Sequence, residues 1–123
     1  MSKSKKKILV VDDSPVVRGF HSNILKMAGF VVDNASDGVE ALEKALINDY
    51  DLILSDINMP NMDGITFIQR YREEGKETPV IFITTQEEAI HKKKSYEAGV
   101  NLYLVKPIDP SSLVLHINIL LNG

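Results

Sequence analysis

The sequence predicts an α/β domain in which a parallel sheet is covered by helices on both faces. Short β-branched runs alternate with longer helical stretches, and each strand candidate is apolar at consecutive positions. The stretches between the runs have lengths that suit crossover helices. Five such strand–helix units predict an open, doubly wound sheet, and 123 residues are one domain's worth of sequence.

The strand candidates are read from apolar runs that are bounded by turn residues. In chain order they are Ile8–Asp12, Val31–Asn34, Leu52–Asp56, Val80–Thr84 and Leu102–Val105. A run that is apolar at every position, rather than at every second one, is typical of a strand buried on both faces. We therefore expect helices above and below the whole sheet.

The helices are read from apolar residues at helical spacing and from capping signals. Gly29 is a stop signal for the first helix, and Asp37 or Ser36 is the N-cap candidate of the second. Asp109 followed by Pro110 predicts the cap and first turn of the last helix. The core-facing set predicted for the first helix is Val17, Phe20, Ile24, Leu25 and Ala28, and that for the second is Val39, Leu42, Ala45 and Leu46. The set predicted for the third helix is Ile65, Ile68 and Tyr71, and that for the last is Leu113, Ile117, Leu120 and Leu121.

The fourth helix, from about Glu87 to Ala98, is predicted to be the most weakly anchored of the five. Its few apolar positions are interrupted by the polar run His91–Lys94. Because a helix that buries few apolar side chains has little to hold it in place, we expect low local stability here.

Composition excludes several classes of function. The chain has no cysteine, which excludes disulfides, thiolate zinc sites and thiol catalysis and fits a cytoplasmic protein. With 14 basic and 17 acidic residues, it has no domain-wide basic field for nucleic acid. No apolar run is long enough to span a membrane or to form a signal peptide. We expect a single domain over residues 1–123, with residues 1–6 as a basic, solvated tail.

Polar or charged residues follow four of the predicted strands directly. Asp12 and Asp13 end the first strand, Asp56 ends the third, Thr84 ends the fourth, and Lys106 follows the fifth. The carboxyl ends of parallel strands lie at one edge of a sheet, which is where ligands bind in open α/β folds. These side chains are therefore predicted to share one cleft, although each alone could be a cap, a turn, a strand end or a surface lysine.

Three carboxylates in one cleft call for a cation or for shifted protonation, since two like charges ~4 Å apart repel by about 4 kcal/mol at an effective dielectric constant of about 20. Oxygen ligands with room for water suit Mg²⁺, and a cleft that holds Mg²⁺, Lys106 and Thr84 can accept a phosphoryl group. The three histidines fall within helix patterns, so a carboxylate is the nucleophile candidate. Asp56 is the single acid on a middle strand, and we expect it to be phosphorylated while the pair Asp12 and Asp13 holds the metal.

These motifs resemble the receiver domain of two-component response regulators, especially the single-domain chemotaxis type (CheY-like). The matching stretches are Ile8–Ser14, Asp56–Gly64, Ile83–Thr85 and Val105–Pro107, and the likeness runs from about Lys7 to Leu121. The resemblance implies a flavodoxin-like sheet with strand order 2-1-3-4-5 and five helices.

The resemblance also implies a role for each acid. Asp56 would be the phosphoacceptor. Asp13 and Asp56 would coordinate Mg²⁺ with the backbone carbonyl of Asn58, and Asp12 would act through a bound water. Asn58 and Gln86 match the positions that border the phosphoryl group and modulate its hydrolysis.

Further roles concern the phosphoryl group and the switch. By resemblance, Lys106 would pair with one phosphoryl oxygen and Thr84 would hydrogen-bond another. Tyr103 matches the switch aromatic of the family; its structural alternative is a strand residue with a solvated hydroxyl. The bond between Lys106 and Pro107 is expected to be cis, which only X-Pro bonds tolerate at small cost.

The resemblance implies a sensor histidine kinase as phosphoryl donor and a downstream target protein, with a flagellar motor switch as the leading candidate. The target would bind the face formed by the fourth helix, the fifth strand and the fifth helix. The domain would catalyse its own phosphorylation and dephosphorylation without being an enzyme for a separate substrate. We expect neither nucleic-acid binding nor membrane insertion.

Four other functions stay open from the sequence. The domain could be a phosphorelay intermediate that passes the phosphoryl group to a second histidine. It could be a Mg²⁺-dependent phosphatase, although Asn58 stands where such enzymes carry a second acid. An FMN carrier would need a loop that cradles phosphate, which Asp12 and Asp13 would repel. A structural interaction domain of the same fold would not bind Mg²⁺.

Overall fold

The computed structural model describes residues 5–85 and 89–122. Within these ranges, parallel strands form one five-stranded sheet in the order β2-β1-β3-β4-β5. The strands are β1 (Lys7–Val11), β2 (Val31–Ala35), β3 (Leu52–Ser55), β4 (Val80–Thr84) and β5 (Leu102–Val105). The helices are α1 (Pro15–Met27), α2 (Gly38–Ile47), α3 (Gly64–Glu73), α4 (Ala89–Ala98) and α5 (Pro110–Asn122). The predicted fold class and strand order are confirmed.

The core has two layers, one on each face of the sheet. Side chains alternate between the faces of a strand, so β1 sends Leu9 and Val11 to one layer and Ile8 and Val10 to the other. The first layer includes buried residues of α2, α3 and α4, and the second includes buried residues of α1 and α5. Each fully buried aliphatic side chain stabilises the fold by roughly 1.5–3 kcal/mol.

The three central strands are buried on both faces, as predicted, whereas the two edge strands are not. Every residue of β3 and β4 is buried, whereas β2 and β5 are partly exposed. The outermost strands have a neighbour on one side only, and the helices do not cover them fully. At the β2 edge, the Tyr50 hydroxyl donates to Asp33 Oδ2 at 2.6 Å, and Lys44 forms a salt bridge with the other oxygen of Asp33.

The predicted core-facing set of α1 is wrong in part. Phe20 is 54% exposed and Ala28 is exposed, whereas the buried residues of α1 are His21, Ser22 and Leu25. The reason is the polar neighbour β2: the Asn34 side chain donates to the Ser22 hydroxyl at 2.8 Å. A hydrogen-bonded serine can be buried at no great cost, and hydropathy alone does not indicate it.

Helix α2 also faces the core differently from the prediction, because small residues make its closest contacts. Gly38, Ala41 and Ala45 are buried, and Leu42 packs against the core. Of these, Ala45 and Leu42 were in the predicted set. Val39 and Leu46 are instead partly exposed. The sets predicted for α3 and α5 are confirmed, with Ile68, Tyr71, Leu113 and Ile117 buried and the rest partly buried.

Most of the expected helix boundaries are confirmed. Gly29 follows α1 with φ +98°, a backbone conformation that glycine adopts readily. Asp37, rather than Ser36, is the N-cap of α2 and accepts the Glu40 N–H at 2.9 Å. Pro110 is the first residue of α5. Among the described residues, no helix is long and apolar enough to cross a membrane.

Candidate functional site

The acids at the carboxyl edge of the sheet are positioned by backbone hydrogen bonds just beyond the strands. The Asp12 N–H donates to the Ala35 carbonyl at 3.2 Å, and the Asp56 N–H donates to the Val11 carbonyl at 2.9 Å. The strand pairing therefore continues one residue past β1 and β3. Because the buried strands fix these backbones, both carboxylates leave the sheet at the same edge.

Lys106 joins the two acids. Its Nζ donates to Asp12 Oδ2 at 3.0 Å and to Asp56 Oδ2 at 3.1 Å. The side chain of Asp12 is 3% exposed, that of Asp56 14% and that of Lys106 16%, so water screens this group weakly. Burial disfavours the charged ammonium, but the hydrogen bonds and charges of the two acids outweigh it and raise the pKa of Lys106.

The other oxygens of the two acids are held by the local backbone. Asp12 Oδ1 accepts the Ser14 N–H at 2.9 Å, and Asp56 Oδ1 accepts the Ile57 N–H at 2.7 Å. Ser14 is also the N-cap of α1, where its hydroxyl accepts the Val17 N–H. The rotamers of both acids are therefore fixed by their own loops.

The residues present fit a divalent cation. Carboxylate oxygens of Asp12, Asp13 and Asp56 lie within 4.8 Å of one another, and Lys106 is the ammonium hydrogen-bonded to two of them. Three negative charges therefore outnumber the bridging positive one. Asp13 is exposed, which leaves room for the waters that Mg²⁺ retains when it binds to oxygen ligands.

The remaining predicted residues lie around this cluster or outside the described ranges. Thr84 ends β4 with no exposed surface, and its carbonyl accepts the Lys106 N–H at 2.8 Å. The peptide bond between Lys106 and Pro107 is cis. Asn58 is exposed on the loop after Asp56, and Gln86 lies outside the described residues.

Tyr103 lies on β5, and only 6% of its surface is exposed. Its side chain belongs to the core layer that also contains Phe82 and Ala98. The sequence left open whether this tyrosine is solvated or internal, and the structure places it inside the protein.

The loop after Asp56 is held by contacts with two glycines. The Gly64 N–H donates to the Ile57 carbonyl at 2.7 Å, and a Cβ on Gly64 would lie 3.1 Å from Ile57 Cα. The Gly38 N–H donates to the Met62 carbonyl at 3.0 Å. These contacts fix the segment that contains Asn58 against the start of α2.

A side-chain bridge reinforces this loop. The Asn61 amide donates to Asp37 Oδ2 at 2.7 Å, and Asn61 adopts φ +68°, which asparagine tolerates better than most residues. Hydrogen bonds from Glu40 and Asn61 keep the pKa of Asp37 below its usual value. The N-cap of α2 and the loop at the acid cluster are therefore one connected structure.

Sequence reasoning missed two residues near the site. Arg18 Nη1 donates to the Asp12 carbonyl at 2.6 Å, and a basic residue one turn into the helix after the acids was the available signal. His21 is 4% exposed, and burial and then Lys106 lower its pKa, against the opposing effect of Asp12 and Asp56. Its position inside a helix pattern gave no indication that it lies near the acids.

Comparisons of the sequence identify the family. The family profile described as response regulator receiver domain matches residues 8–118. The chain is 41% identical over 115 residues to the transcriptional regulatory protein ResD of Bacillus subtilis, covering 94% of this chain and 48% of ResD. It is 38% identical over 114 residues to the sensor protein EvgS of Escherichia coli, covering 93% of this chain and 10% of EvgS. The chain thus spans half or less of the length of these relatives.

Comparisons with solved structures identify the same family. A CheY-like receiver domain from Methanospirillum hungatei JF-1 superposes with a TM-score of 0.92 at 28% identity, covering 97% of this chain and 95% of the other. The chemotaxis protein CheY4 of Vibrio cholerae gives a TM-score of 0.90 at 37% identity, covering 95% and 99%. The chain belongs to the response regulator receiver domains of two-component systems. Receiver domains generally bind Mg²⁺ at an acidic pocket, and the cluster of Asp12, Asp13 and Asp56 is such a pocket.

Proposed function

We propose that this receiver domain is a switch activated by phosphorylation of Asp56. The observation that carries the proposal is the Lys106 ammonium, which is hydrogen-bonded to Asp12 and Asp56 within a cluster of three acids. A nucleophilic carboxylate, a fixed cation and oxygen ligands for a metal are the groups that phosphoryl transfer to an aspartate requires.

In the proposed reaction, a carboxylate oxygen of Asp56 attacks the phosphorus of a phosphohistidine on the kinase. A P–O bond forms and the P–N bond breaks, and the imidazole leaves with the electron pair of that bond and takes up a proton. Lys106 remains within hydrogen-bond reach and stabilises negative charge on a phosphoryl oxygen. The Thr84 hydroxyl hydrogen-bonds another phosphoryl oxygen.

Asp13, Asp56 and the Asn58 carbonyl would hold Mg²⁺, with Asp12 acting through a bound water. When bound, Mg²⁺ supplies positive charge that offsets the acids and the phosphoryl oxygens. By resemblance to the family, Asn58 and Gln86 would set the rate at which the phosphoryl group is hydrolysed, so the domain would catalyse its own dephosphorylation. We expect Gln86→Ala to change the phosphoryl lifetime without preventing phosphorylation, and an unchanged decay rate would exclude this role.

The proposed output is a change in partner binding on the face formed by α4, β5 and α5, here called the output face. Phosphorylation adds a charge of roughly −1.5 to −2, draws Thr84 toward the phosphoryl group and favours an internal Tyr103. The three elements carry exposed apolar side chains, which support a protein partner. They include Ile90, Val105, Leu115 and Ile119.

A flagellar motor switch in the cytoplasm is our first candidate for the target, by similarity to the chemotaxis protein CheY4. The second candidate function is that of a phosphorelay intermediate, which the match to the sensor protein EvgS favours, because a receiver within a sensor is not itself the final output. Transfer of the phosphoryl group from Asp56 to a second histidine would distinguish the relay from the switch.

The test is labelling with acetyl phosphate in Mg²⁺, followed by intact mass and site mapping. We expect one phosphoryl group on the wild type, none on Asp56→Asn, and normal labelling of Asp49→Asn, which changes an exposed aspartate elsewhere. Full incorporation into Asp56→Asn would refute the assignment of the acceptor. Repeated turnover of a generic phosphoester by the wild type would favour the phosphatase instead.

A further inference from the structure

The outer edge of β5 is capped by a side chain from α4. Within the described sheet β5 is the last strand, so N–H groups on its outer side have no strand to donate to. The Tyr103 N–H donates instead to the hydroxyl oxygen of Tyr96 at 3.1 Å. A side chain of α4 thus bonds directly to the backbone of the proposed switch residue.

Few of the α4 side chains that the structure describes are buried. Among its side chains that the structure describes, Ser95 and Ala98 are buried, whereas Ile90 is 53% and Tyr96 is 42% exposed. The C-terminal end is held separately, because Arg72 Nε and Nη2 donate to the Gly99 carbonyl at 3.1 and 2.8 Å. The hydrogen bond of Tyr96 is therefore one of the contacts that hold α4 against β5.

The Tyr96 contact coexists with an internal Tyr103 ring. Tyr103 is 6% exposed and packs in the layer that includes Ala98 of α4. An outward swing of the ring would remove packing against α4, and a shift of α4 would stretch the bond between Tyr96 and the Tyr103 N–H. The hydrogen bond therefore holds α4 in the position in which Ala98 and the internal Tyr103 ring share one core layer.

We propose that Tyr96 is a positioning residue of the switch, which links α4 to β5 and biases the domain toward the internal position of Tyr103. This inference rests on the proposed function, in which the phosphoryl group favours the same arrangement. A hydrogen bond of this kind changes an equilibrium by about two- to tenfold. Because a ligand of the active arrangement binds in proportion to its population, loss of the hydroxyl weakens that ligand's apparent affinity.

The matched pair of variants is Tyr96→Phe and Tyr50→Phe. Each variant removes one tyrosine hydroxyl that makes a hydrogen bond at an edge of the sheet. The Tyr96 hydroxyl bonds to β5, and the Tyr50 hydroxyl bonds to Asp33 of β2. Both variants keep the ring and its packing. The measurements are amide hydrogen exchange of Tyr103 and half-saturation by beryllofluoride, a phosphoryl mimic, in excess Mg²⁺.

We expect Tyr96→Phe to speed exchange of the Tyr103 amide by about tenfold and to raise the half-saturating beryllofluoride concentration by about two- to fivefold. Tyr50→Phe should change neither quantity. Equal beryllofluoride affinity of Tyr96→Phe and wild type, or unchanged Tyr103 exchange, would overturn this inference alone. Failure of the wild type to bind beryllofluoride would overturn the proposed function and this inference together.

Discussion

Helices α2 and α4 each have ten residues and cover the same face of the sheet, yet they are held in different ways. Helix α2 buries Ala41 and Ala45 fully, and its N-cap Asp37 is bridged to the loop beside the acid cluster. Helix α4 buries Ser95 and Ala98 and makes polar contacts from Tyr96 to β5 and from Arg72 to its C-terminal end. The comparison indicates that one side of the domain positions the chemistry and that the other side can respond to it.

The largest effect should come from disturbing the tightly held side with Gly38→Ala. A Cβ here would lie 2.8 Å from Met62 Cβ and closer still to the Met62 carbonyl, so backbone must move. We expect the free energy of unfolding to fall by about 2–3 kcal/mol, measured by urea denaturation.

Gly19→Ala is the matched control for this substitution. Gly19 lies inside α1 with open space where a Cβ would be, so alanine should stabilise the fold by about 0.5–1 kcal/mol. If Gly38→Ala did not lower the free energy of unfolding relative to Gly19→Ala, α2 would not be tightly bound to the loop.

Hydrogen exchange compares the two helices directly. Because α4 buries less, its amides should exchange at least about tenfold faster than those of α2 in the same sample. Tyr96→Phe should widen this difference, since it removes a contact between α4 and β5 and leaves the contacts of α2 unchanged. Equal protection of the two helices would remove the basis for regarding α4 as the element that moves.

Much of this arrangement could be predicted from the sequence, and the failures have physical reasons. Apolar runs predicted β4 and β5 at their observed bounds, and the residues after the strands predicted the acid cluster. The faces of α1 and α2 were misjudged because burial depends on the neighbours of a helix, as with Ser22 beneath Asn34. The contacts of Tyr96 with Tyr103 and of Gly38 with Met62 join separate elements, and no local pattern indicates them.

A smaller effect is the pH dependence of folding stability that His21, near the acid cluster, should cause. Burial, with Lys106 adding to it, keeps the pKa of His21 below its usual value of 6.5, although Asp12 and Asp56 oppose this. The unfolded chain therefore binds a proton more readily, and the stability due to neutral His21 is fully present above pH 6.5 and is lost as the pH falls below it.

The experiment is urea denaturation in Mg²⁺-free buffer at about pH 7.5 and about pH 5. We expect His21→Val to lose less stability on acidification than the wild type does. An identical loss in His21→Val and wild type would exclude His21 as a source of the pH dependence.

The central claim is that charge added at Asp56 changes the α4–β5 side and leaves α2 in place. Backbone amide chemical shifts of the Mg²⁺-loaded wild type and Asp56→Asn, recorded with and without beryllofluoride, test this claim most directly. The account predicts large shifts in the wild type around the acid cluster, α4 and β5, small shifts along α2, and none in Asp56→Asn. Shifts confined to the acid cluster, or shifts as large in α2 as in α4, would contradict it.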